Sequence, residues 1–68
     1  MKFVEAIKKS DYKTATIIIN DWKYWLCDDG YCDKKQIDKN GKTINGTMTR
    51  VLKIPDDFLA IDNWKPVN

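Results

Sequence analysis

The chain is predicted to be α+β, with an N-terminal helix packed on a small twisted antiparallel sheet and a short helical turn before a C-terminal strand. Three observations predict this. Phe3, Ala6 and Ile7 recur at helical spacing near the start, with Val4 beside them. Ile17, Ile18 and Ile19 are consecutive β-branched residues, stiff at χ1 and suited to a pleated surface. Asp29-Gly30, Asn40-Gly41 and Asn45-Gly46 punctuate the middle of the chain with pairs that favour tight turns. The 68 residues make one domain, 1–68.

The helix runs through MKFVEAIKK, with Lys8 and Lys9 at the end that suits cations and Ser10-Asp11 closing it. Lys13 to Ile19 is the first strand. Strand side chains alternate between faces, so this one is apolar on both sides. One face meets the core, and the other needs a helix, another sheet or a second chain. Asn20-Asp21 interrupts the run, and Trp22 to Asp28 forms a second strand. A two-residue Asp29-Gly30 loop would set Cys27 opposite Cys32, Leu26 opposite Asp33 and Trp25 opposite Lys34.

Asp33 to Ile37 is polar and suits an exposed strand or loop. Asn40-Gly41 as a second two-residue loop would pair Ile37 with Ile44, and Asn45-Gly46 is expected to be a bulge or irregular bend. In Thr47 to Ile54, Met48, Arg50, Leu52 and Ile54 share one parity, which predicts a strand with a largely apolar face carrying Arg50. Pro55-Asp56-Asp57 opens a helical turn. Phe58, Leu59 and Ile61 follow as an apolar plug. Trp64 to Val67 is a short final strand, which Pro66 puts at an edge or makes irregular.

Composition narrows the function classes. Twelve basic and ten acidic residues give a formal +2. That argues against a nucleic-acid mimic, which needs an acidic excess. It is also weak for a nucleic-acid binder, where a higher pI and a clustered basic face are expected. No apolar run approaches the roughly 20 residues that span a bilayer. The first residues lack the apolar region of a secretory signal, so a cytoplasmic location is expected. Thiols stay reduced there. Cys27 and Cys32 therefore read as two packed side chains, with a disulfide formed on oxidation as the alternative. There is no histidine, and two cysteines do not complete a zinc site. A chain this short buries only about 60% of its unfolded surface. With three Trp, three Tyr and two Phe it is expected to be a homo-oligomer.

Catalysis has little to stand on, since no Ser or Cys nucleophile has a base at motif spacing. The pairs Asp28-Asp29 and Asp56-Asp57 sit where turns and helix starts use Asp. No cofactor is implied. Binding is better supported. Trp22, Tyr24 and Trp25 crowd a turn that also offers Asn20 and Asp21. An aromatic ring can stack on a base for roughly 1–3 kcal/mol. Asn20 and Asp21 could read base or ribose edges, and Arg50 could take a phosphate. The competing reading packs the three aromatics into the core or a subunit interface and pairs Arg50 with Asp57 or Asp62. Trp64 is expected to be structural.

Three patches, MKFVEAIKKS, IIINDWKYW and DDFLAIDNWKPV, resemble a family of small phage proteins that includes the Thoeris anti-defence sponges. The resemblance covers the two ends of the chain and little of its middle. It implies an α+β oligomer that sequesters cyclic ADP-ribose-type signals or related cyclic nucleotides near subunit contacts, without catalysis. Ligand would stack on Trp22 or Tyr24, with Arg50 on phosphate. Two alternatives come from other classes. One is a small phage inhibitor that binds a host protein through exposed aromatics. The weaker one is a single-strand nucleic-acid binder.

Overall fold

A computed structural model describes residues 1–68. In chain order the elements are α1 (Phe3–Lys9), β1 (Thr14–Ile19), β2 (Trp22–Cys27), β3 (Cys32–Gln36), β4 (Thr49–Arg50), α2 (Asp56–Leu59) and β5 (Lys65–Pro66). The five strands form one antiparallel sheet in the order β4-β3-β2-β1-β5. The architecture is thus the α+β arrangement the residue pattern predicts, and Pro66 does lie on an edge strand.

One face of the sheet carries the core. Ala15 and Ile17 of β1, Leu26 of β2 and Cys32 of β3 are buried there, with Ala6 of α1 and Trp64 just before β5. Phe3, Ile7, Phe58 and Ile61 pack around this cluster. Phe3 meets Trp64 edge-on at 5.0 Å between ring centres, and the Trp64 Nε1–H donates to the Phe58 carbonyl at 2.9 Å. That hydrogen bond lets a polar ring sit fully inside. Val4, although beside the apolar stripe in sequence, points to solvent.

Ser10 does more than close the helix. It is buried, and its Oγ donates to the Val67 carbonyl at 2.7 Å. The same oxygen accepts from the Tyr12 and Thr14 amides at 3.2 and 3.1 Å. One hydroxyl therefore joins the end of α1, the start of β1 and the C-terminal segment.

Two turns differ from the two-residue loops expected of them, and for the same reason. In the β2–β3 hairpin, Gly30 N–H donates to the Cys27 carbonyl and Cys27 N–H to the Tyr31 carbonyl. The loop is therefore three residues, Asp28-Asp29-Gly30, and Gly30 has φ 95°. A turn ending in a left-handed glycine is the standard three-residue hairpin connection. The Asp29 carboxylate accepts the Tyr31 amide at 2.9 Å and holds it. The second case is Lys39-Asn40-Gly41, where Gly41 has φ 83°. Asp38 Oδ1 accepts the Asn40 and Lys42 amides at 2.8 and 3.0 Å.

The extra loop residue moves each register by one. Leu26 lies opposite Cys32, Trp25 opposite Asp33 and Tyr24 opposite Lys34. Ile37 bridges to Thr43, not Ile44. A one-residue slip sends a side chain to the other face. Cys32 thus enters the core while Cys27 goes to the opposite side, where its Sγ lies 3.3 Å from Thr14 Oγ1. Both cysteines are free.

The long strand expected over Thr47 to Ile54 shortens to Thr49–Arg50. Val51 and Ile54 pack against the core instead, Leu52 is 90% exposed and Met48 58%. Two Asn-Gly turns upstream leave only a short segment to align with β3, so alternation is lost after Arg50. Asn45-Gly46 forms a turn, with Gly46 at φ 82°, in place of the bulge or irregular bend expected there. Thr47 Oγ donates to the Ile44 carbonyl and accepts the Gln36 amide.

Candidate functional site

The face of the sheet away from the core is the candidate site. Cross-strand partners share a face, so the register places Thr14, Thr16 and Ile18 of β1 there with Lys23, Trp25 and Cys27 of β2. Asp33 and Lys35 of β3, Arg50 of β4 and Lys65 of β5 complete it. None of these residues is buried, and Ile18 is 50% exposed. No helix covers this side, because α1 packs on the other.

Two concavities open on it. One, of about 340 Å³, is lined by Trp25, Cys27, Tyr31, Asp33, Lys35 and Met48. The second, of about 600 Å³, is lined by Thr16, Ile18, Lys23 and Lys65 of this face, and also by the core residues Ile17 and Trp64 and by Asp62. Between them, the Lys23 ammonium lies 5.1 Å from the centre of the Trp25 ring. Beside the first, the Arg50 guanidinium lies 4.2 Å over the Tyr31 ring. The chain's one ion pair joins the Met1 amino group to Asp62 at 3.2 Å. Lys23, Lys35, Arg50 and Lys65 therefore have no carboxylate partner, and the alternative pairing of Arg50 with Asp57 or Asp62 does not form. The half-buried Trp25 and the exposed Tyr31, beside cations without carboxylate partners, suit a ligand with flat rings and negative charge.

The six residues expected to hold ligand are divided by the sheet. Asn20 and Asp21 form the exposed β1–β2 turn, where Asn20 has φ 55°. Trp22 and Tyr24 lie on the core side. Tyr24 packs edge-on against Phe58 at 5.6 Å, and the Lys34 ammonium sits 4.3 Å over Trp22 and 5.8 Å over Tyr24. Trp25 and Arg50 lie on the uncovered side. A single copy therefore does not bring Arg50 to a ligand stacked on Trp22 or Tyr24. The two sets are separated because neighbouring strand residues alternate faces.

Residue-by-residue reading missed Lys23, Tyr31, Lys35 and Lys65. The signal was present as period-two spacing, Lys23 with Trp25 and Tyr31 with Asp33 and Lys35, but it had meaning only once the register was known.

The two thiols differ with their faces. Burial pushes the Cys32 thiol up to about 11, with the nearby Asp33 and Cys27 charges adding to the rise and Lys34 opposing it. It is a packing group and not a nucleophile. No cluster of three or more metal-ligating side chains is present, and no helix is long and apolar enough to cross a membrane. Set against known proteins, the chain matches no protein family, no curated protein and no solved structure.

Proposed function

We propose that this protein works by holding a ligand and not by turnover. The ligand is of the cyclic nucleotide class, and the role is that of a phage counter-defence sponge, as the likeness of its three sequence patches implies. The observation that carries the reading is the uncovered sheet face, where Trp25 and Tyr31 stand beside the unpaired cations Lys35 and Arg50. A ring can stack on the aromatics while a phosphate meets the guanidinium. The binding residues are then Trp25 and Arg50, with Trp22, Tyr24, Asn20 and Asp21 left to structure or to a contact between copies. A second copy would cover the exposed Met48 and Leu52 beside β4, which is the support for a homo-oligomer.

Calorimetry with cyclic ADP-ribose isomers and cyclic dinucleotides tests the reading. The expected result is saturable heat at micromolar protein, lost in Arg50→Gln. No heat with any of these compounds removes it. Native mass measurement of the intact assembly tests the oligomer.

A second reading, an inhibitor that docks on a host protein, is favoured by Leu52, which is 90% exposed and lies two residues from Arg50. Tyr and Arg are enriched among interface hot spots, and the exposed Tyr31 with Arg50 over its ring would supply that anchor, Leu52 adding apolar area beside it. A stoichiometric protein recovered from host lysate, and lost with Leu52→Asp, would select it over the sponge.

A further inference from the structure

The sequence spreads its charges evenly, but the fold does not. Lys23, Lys35, Arg50 and Lys65 come from four different strands, and the register brings all four to the uncovered face. Asp33 is the one carboxylate among the strand residues there. Among strand residues four cations thus stand against one carboxylate; Asp62, which also lines the larger concavity, is held by the Met1 amino group. A basic face that composition does not announce is therefore present.

Two features of the face bear on what it fits. A second copy docked face to face would bring like charges together, which is unfavourable. The two concavities also lie along the face on either side of the Lys23–Trp25 pair, and both are open. Five strands about 4.8 Å apart give a platform roughly 19 Å across. That width suits an extended chain of a few units better than one compact molecule.

We propose that the uncovered sheet face binds single-stranded nucleic acid. Its backbone runs across the strands along Lys65, Lys23, Lys35 and Arg50, and its bases stack on Trp25 and Tyr31. An open sheet face with aromatic platforms and flanking cations is a general solution for single strands, because every base has a ring face and every unit a phosphate. The proposal rests on the reading that this face takes nucleotide units. It differs in making them part of a strand.

The test is fluorescence anisotropy of the full chain with fluorescein-labelled eight-nucleotide oligo(dT) and oligo(U), titrated in salt. Four phosphate contacts give a log–log salt slope of about −2.8, or about 50-fold weaker binding between 50 and 200 mM salt. Lys35→Gln reduces that loss to about 20-fold. Trp25→Leu weakens binding about tenfold with the slope unchanged, as loss of a stacking ring should. Lys8→Gln, on α1, changes neither. Circular dichroism establishes that each variant is folded. Three results overturn the proposal. Binding of cyclic nucleotides without oligonucleotides leaves the sponge reading standing; binding of neither removes both; displacement of the oligonucleotide by polyglutamate at equal charge assigns the face to an acidic protein.

Discussion

The two faces of the sheet are built from the same three long strands, yet they have opposite characters. In β2, Trp22, Tyr24 and Leu26 point to the core side, and Lys23, Trp25 and Cys27 to the other. On the core side Ala15, Ile17, Leu26 and Cys32 are each no more than 5% exposed. Burying a side chain the size of Ile17 stabilises by about 1.5–3 kcal/mol, so this face holds the domain together. On the other side nothing is buried, cations stand without carboxylate partners, and Trp25 and Tyr31 line an open concavity. Stability and availability for binding are thus separated by a single layer of backbone. A chain this small can assign only one face of its sheet to a core, and the other is free to carry charge that a core would exclude.

That contrast makes its largest prediction at the tryptophans. Trp64→Ala should cost about 3–5 kcal/mol, read as a fall in the urea midpoint, because the ring is fully inside. Trp25→Ala should cost less than about 1 kcal/mol, since surface changes away from special features are small. Equal losses at the two positions would mean the faces are not energetically distinct.

Ser10→Ala tests the polar seam of the core side. It leaves the Val67 carbonyl and the Tyr12 and Thr14 amides without the hydroxyl, which should cost about 1–3 kcal/mol in the same measurement. Cys32 sharpens the contrast through pH. Its folded-state value of about 11 lies above that of an exposed thiol, so the neutral form is favoured by folding. The resulting stability is complete below about pH 9 and is lost as pH rises towards 11. Wild type should therefore lose more stability than Cys32→Ala over that window. The smallest effect is chemical. At pH 8 in native buffer a thiol reagent should modify Cys27 and spare Cys32 until the chain unfolds, measured as one adduct per chain by mass.

Much of the fold was legible because it rests on local rules. Phe3, Ala6 and Ile7 mark a helix by spacing alone, and Ser10 ends it. The Ile17–Ile19 run marks β1, Pro55 marks the start of α2, and Pro66 marks an edge. The aspartate-glycine and asparagine-glycine pairs located the turns. What those pairs did not convey was loop length. A glycine with positive φ serves the second place of a two-residue loop and the third place of a three-residue one, and the choice depends on the strands it must join. That choice moved Cys27 and Cys32 to opposite faces. It also explains why Trp25 meets Asp33 and not Lys34. The candidate site was legible only in part. Trp25 and Arg50 could be singled out by type, but their separation from Trp22 and Tyr24 follows from alternation combined with register.

Local sequence therefore specified which segments become helix, strand and turn, since propensity, spacing and turn chemistry act within a few residues. The gathering of Lys23, Lys35, Arg50 and Lys65 beside Trp25 belongs to the assembled sheet. Those residues lie far apart along the chain, and backbone hydrogen bonds between strands, not any local preference, bring them to one face.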